Sequence, residues 1–135
     1  MATVAGDLIE ITCSHPQLGN IAFYPKSGES FTMDLGGFKT EDEAQSITGS
    51  GEAIYKMNQA RWSVEGVIRC DLNTNQDLQK VQALSSSAFE GDWTFTHVSG
   101  AIYSGKGKPV GDVQGDSNEG TMTLKVSGGG GLSQQ

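Results

Sequence analysis

This sequence predicts a mainly β domain, a β-barrel or sandwich of about eight strands with one flanking α-helix. Three observations carry that expectation. Apolar and polar residues alternate with period two along most of the chain. Turn-forming residues separate the alternating runs, with 19 Gly against 3 Pro. Only one segment shows helical spacing instead. A length of 135 residues fits a single domain, 1–135, with one modest core.

In chain order, Leu8 to Cys13 places Ile9, Ile11 and Cys13 on one face and Glu10 and Thr12 on the other, a half-buried strand. Asn20 to Tyr24 is a short strand that stops at Pro25, with a Ser27-Gly28 turn after it. Phe31, Met33 and Leu35 alternate in a third. From 35 to 51 the chain reads LGGFKTEDEAQSITGSG, with glycines at both ends and an acidic knot of Glu41, Asp42 and Glu43 inside. A loop of that length is functional or mobile. It is either a solvated loop or an arm that orders against a neighbouring subunit, anchored by Phe38 and Ile47. Glu52 to Asn58 is expected to pair with the run that follows it.

That run, Ala60 to Cys70, is the clearest strand. Trp62, Val64, Ile68 and Cys70 share a face with Gly66, and Gly66 marks a bulge or a close approach. Thr74 to Asp77 offers a start resembling a capping box, and Leu78, Val81 and Leu84 then recur at helical spacing, with Ala88 a turn further. Trp93, Phe95 and His97 alternate in the next strand, Ala101 to Tyr103 continues beyond a Ser99-Gly100 break, and Met122, Leu124 and Val126 close the set. The Gly-rich tail at 127–135 is either flexible or an ordered strap.

Nine Lys plus Arg face 16 Asp plus Glu, a net charge of −7. That argues against nucleic acid as a tightly held partner, because such binding rests on cations that neutralise phosphates. It is compatible with nucleic acid passing an acidic surface without sticking, and equally with acidity that serves solubility. No apolar run reaches the ~20 residues of a bilayer span. The first residues lack the pattern of a signal peptide, so the chain is expected to stay in a cytoplasm, with no membrane anchor. Cys13 and Cys70 are then expected to be free thiols rather than a disulfide or a zinc site.

Little here is suited to catalysis. His15 precedes Pro16 in a turn, and His97 lies on an apolar strand face, where a hydrogen-bonded structural histidine is expected. No Gly-x-Ser-x-Gly elbow is present. Gly105 to Gly111 evokes a phosphate loop only superficially, since Pro109 follows the lysines and strands flank them. Lys106 and Lys108 are better read as cations on a hairpin loop that meet an acidic patch, such as Glu41 to Glu43 of another copy. Asp112, Asp116, Asn118 and Glu119 lack the spacing of a calcium loop and read as turns. Neither cofactor, metal nor catalytic residue is expected.

One further pattern lies in the order of motifs from Trp62 to Gly131. A long strand, an Asn-rich turn, an amphipathic helix and a Trp-containing strand are followed by Ile102-Tyr103, Gly105-Lys106-Gly107, Pro109-Val110-Gly111-Asp112, Glu119-Gly120-Thr121 and a closing strand into glycine. This order resembles that of the tail tube proteins of contractile-tailed bacteriophages; the N-terminal half is similar in organisation only. The resemblance implies a structural subunit, not an enzyme, whose hexameric rings stack into a tube in the tail of the virion. Its partners would be its own copies and the sheath, tape-measure and baseplate proteins. DNA would pass through the lumen unbound, and the chain would be made in the cytoplasm of a host bacterium. The arm at 35–51, the Gly105 to Gly111 segment and both chain ends would lie at subunit boundaries. Other readings are a tube-initiating or baseplate protein, the haemolysin-coregulated tube protein of type VI secretion, which shares the fold, and a carbohydrate-binding β-sandwich.

Overall fold

The computed structural model describes residues 2–135. Its main sheet starts with β1 (Leu8–His15) and β2 (Gly19–Phe23), a hairpin in which His15 faces Gly19. The turn is held by the His15 ring. Its Nδ1 accepts the backbone N–H groups of Gln17 and Leu18, both at 3.1 Å, which leaves Nε2 to donate to the Phe89 carbonyl at 3.2 Å. Next come β3 (Thr32–Asp34), β4 (Gly37–Thr40), β5 (Met57–Ala60) and β6 (Trp62–Arg69). Helix α1 (Asp77–Ser86) is followed by β7 (Gly91–His97), β8 (Ile102–Pro109), β9 (Gly115–Asp116), β10 (Thr121–Gly128) and β11 (Ser133–Gln134).

Strand order is β2-β1-β7-β8-β10-β6-β3, with antiparallel neighbours throughout; β9 pairs with β10 and β11 with β8. The path nearly closes on itself. After β2 the chain continues through Tyr24, Pro25 and Lys26 onto the part of the β6 edge that β3 leaves uncovered. There Arg69 N–H donates to the Tyr24 carbonyl at 2.8 Å and Lys26 N–H to that of Val67 at 3.0 Å. One long strand segment thus joins both ends of the sheet, and the expected barrel or sandwich with one helix is what forms.

Inside it, the alternating residues meet. Trp62, Val64 and Ile68 of β6 are buried, as are Met122, Leu124 and Val126 of β10. Phe23 stacks on Trp93 at 5.9 Å, Trp93 on Phe95 at 6.3 Å, and Trp62 meets Phe95 edge-on at 6.0 Å. Gly66 has no room for a side chain, because a Cβ would strike the Phe31 ring 2.5 Å away. Val81 and Leu84 seal α1 onto this core.

Four sequence expectations need correction. Glu52 to Asn58 does not pair with the Arg61 run; β5 pairs with β4 instead, so part of the 35–51 loop is itself strand. Gly105 to Lys108 is not a hairpin loop but the body of β8. No capping box opens α1, since its N-cap is Gln76, in the left-handed region at φ 54°, without a side-chain cap. Asp77 is buried instead, where its Oδ2 accepts the Asp71 N–H at 2.9 Å and Arg69 Nε at 3.2 Å. Ile9, expected on the inner face, is exposed beside a register shift in β1. The C-terminal tail resolves as a strap: Leu132 is buried, its N–H reaches the Leu35 carbonyl at 2.9 Å, and β11 follows.

Candidate functional site

The feature that leaves the barrel is a hairpin arm, residues 37–60. It starts at Gly36 and Gly37, with φ 70° and 79°. Gly36 is pressed on the backbone of the returning chain, and a Cβ there would lie 2.5 Å from Trp62 N and 2.9 Å from Trp62 Cα. Only glycine lets the two legs of the arm pass so close to the barrel wall. Beside this root, Lys39 Nζ meets Asp34 Oδ1 at 2.8 Å. That bond, and the Gly36 N–H donated to the same oxygen at 2.9 Å, hold the Asp34 carboxyl below its ordinary 3.8.

Beyond the root the register is Gly37 with Ala60, Phe38 with Gln59, Lys39 with Asn58 and Thr40 with Met57. Directly opposed residues share a face. Phe38, Thr40, Met57 and Gln59 therefore form one face, and Lys39 and Asn58 belong to the other. On that polar side Asn58 Nδ2 donates to Glu41 Oε1 at 2.7 Å. Glu41 N–H continues the ladder to the Lys56 carbonyl at 2.9 Å, and an Ile47–Ala53 bridge closes the tip. The tip is self-satisfied: Ser46 Oγ donates to the Ile54 carbonyl and Thr48 Oγ1 accepts Glu52 N–H.

What the arm does not do is bury anything. From Phe38 to Arg61 no residue is buried. Phe38 is 64% exposed, Tyr55 73% and Met57 57%. A two-stranded hairpin alone is marginal in water, and this one carries large apolar groups with nothing over them. Ile47 is also exposed at the tip, a few residues along the chain from Glu41, Asp42 and Glu43. Sequence reading found Phe38, Ile47 and the acidic knot but missed Tyr55 and Met57, which it had assigned to a strand of the sheet.

Lys106 and Lys108 stand elsewhere, on β8. Lys106 lies directly across from Asp92 of β7, and Lys108 across from Ser127 of β10. Among the described residues neither forms an ion pair with the acids of the arm. The glycines around them make room for the tryptophans. Trp62 Nε1 donates to the Lys106 carbonyl and Trp93 Nε1 to the Gly107 carbonyl, each at 3.0 Å. A Cβ on Gly107 would lie 2.8 Å from the Trp62 ring, and one on Gly128 would collide with the Lys106 carbonyl. The Gly-Lys-Gly segment is thus a packing device.

A second surface lies between β2 and α1, an open groove of about 470 Å³ lined by Leu18, Ile21, Tyr24 and Ala83 among others. Its charged lining residues are Arg69 and Lys80, both cations. Arg69 lies over the Tyr24 ring at 4.9 Å while its Nε is held by Asp77.

His97 is tied to Ser99 through Nδ1 at 2.7 Å and to the Gly6 carbonyl through Nε2 at 3.1 Å, a structural role. Asp116 accepts Asn118 and Glu119 N–H groups and so caps the β9–β10 turn. Cys13 and Cys70 are free and buried.

No family model matches this chain, and no curated protein does. Among solved structures it is similar to one chain of the cryo-EM structure of the anti-feeding prophage (AFP) baseplate, 6-fold symmetrised. The identity is 16%, over 100% of this chain and 94% of that one, with a TM-score of 0.42. A likeness of that degree assigns no function.

Proposed function

We propose that this chain is a structural subunit of a phage tail tube, one that self-assembles into stacked rings forming a conduit for DNA, and that it has no catalytic role. The observation that carries the reading is the arm: a ladder-paired hairpin whose apolar residues find no cover in their own chain. A monomer gains nothing from holding Phe38, Tyr55 and Met57 in water. A subunit that lays them on the next copy does. Open strand edges support the same reading, since β3 and β11 each pair on one side only. The motif order from Trp62 to Gly131 is the independent sequence support. Six copies per ring, a place in the virion, and sheath, tape-measure and baseplate partners belong to this proposal. A carbohydrate platform built on Trp62 and Trp93 is disfavoured, because both are fully buried.

Negative-stain electron microscopy of the purified full chain tests this, with sedimentation alongside. Rings with a central hole, or hollow tubes of uniform width, are expected. A protein that stays monomeric at millimolar concentration, even when seeded with preformed tube ends, would contradict the proposal.

A further inference from the structure

The arm and the β2–α1 groove are complementary in chemistry, and they lie on one chain. Between Gly37 and Ala60 the arm carries Glu41, Asp42, Glu43 and Glu52 against Lys39 and Lys56, an acidic excess next to an apolar face. In the groove the pattern is inverted: Leu18, Ile21 and Ala83 line it together with Lys80 and with Arg69, whose charge Asp77 already offsets, and no carboxylate is among the lining residues. Lys80 has no ion-pair partner among the described residues. The arm does not fill its own groove, since its apolar side chains are all exposed.

We infer that the groove between β2 and α1 receives the arm of a second copy of this chain, with Phe38, Tyr55 and Met57 against its apolar lining and the acidic tip against Lys80. The other cationic candidate is weaker. The hollow beside Lys106 is also lined by Glu90 and Asp92, which offset its charge. Arm and groove are different surfaces, so the contact is heterologous: each copy gives one arm and takes one, and unless two copies exchange arms reciprocally the association closes into a ring or propagates. This inference rests on the tube proposal for its biological sense, but it predicts a contact that can be measured between copies in solution.

The test is charge exchange in the full chain. Arg69 is left alone because it holds buried Asp77. Lys80→Glu makes the groove repel the arm, and Asp42→Lys with Glu43→Lys makes the arm repel the groove. Each variant should weaken self-association at least about tenfold in sedimentation. An equimolar mixture of the two should recover it, because each arm then meets a groove of opposite sign. Lys80→Ala, which adds no charge, serves as the milder second variant and should weaken association by a smaller factor. Native-like association of both Lys80 variants, or failure of the mixture to recover, overturns the groove as the docking site while leaving the tube proposal standing. Absence of any association by the unaltered chain, tubes included, overturns both.

Discussion

At the scale of single residues, the sites that matter most are those where small size or burial is obligatory. Gly128 faces Trp62 across β10 and β6, and a methyl group there would collide with the Lys106 carbonyl that accepts the Trp62 indole. Gly128→Ala is expected to cost about 2–4 kcal/mol by overpacking and a lost buried hydrogen bond, measured by urea denaturation. The two cysteines make a second prediction. Burial, with Asp92 nearby, pushes the Cys13 thiol up to about 12, and burial followed by the Asp77 charge raises Cys70. The folded thiol keeps its proton where the unfolded one, at 9.0, loses it. Its stabilising share is therefore whole below pH 9.0 and falls as the pH climbs from there towards 12. Both thiols should stay unlabelled by maleimide at pH 8 in the folded protein and react once urea is added; rapid labelling without denaturant would contradict the packing described. Asp34 and Asp71 act in the opposite direction. The Lys39 hydrogen bond lowers the first and the Asn73 N–H the second. Their contribution is present above 3.8 and is lost as the pH falls through their depressed values; both carboxyls are exposed, so urea denaturation should show only a slight loss of stability below pH 4.

Among elements, legibility from sequence followed pattern strength. Strands β1, β6, β7 and β10 were readable because one face enters the core and period two survives along most of each. Strand β8 was legible only at its start, Ile102-Tyr103, because Gly105 and Gly107 are dictated by the Trp62 ring, a contact made across the barrel and invisible to local propensity. β4 was missed for a related reason: Gly-Phe-Lys-Thr carries no burial signal, since its partner strand is as exposed as it is. Thr74 looked like a cap, but the Asp77 carboxylate was drawn under Arg69, and Gln76 took the left-handed position. Of the candidate site, the acidic knot and its anchors were legible as composition, whereas the apolar face was not, because it exists only once β4 and β5 are in register. The register also sets how the arm can be removed. Gly37 and Ala60 are cross-strand partners, so replacing residues 38–59 with a two-residue turn should keep the barrel's stability within about 1 kcal/mol of the parent. The same deletion should abolish assembly in micrographs. A large loss of stability would mean that the arm supports its own barrel.

For the whole molecule, the charge of −7 sets how copies and polymers meet. Duplex DNA should show no retention by the protein in a gel-shift at 0.15 M salt, given the repulsion; micromolar binding would contradict a lumen that DNA merely passes. Copies of like charge also repel one another, so the proposed docking of the acidic arm would depend on the cation it meets, Lys80, and should strengthen as salt screens the repulsion between copies. The C-terminal strap adds a consequence in time. Leu132 ties down the Leu35 carbonyl at the root of the arm, yet it is translated long after the arm itself. Until that residue has left the ribosome, the arm hangs from an unfastened hinge. Under the proposed assembly a nascent chain would expose its hairpin before it could aim it, and would acquire a fixed direction for joining others only when nearly all of it had been made.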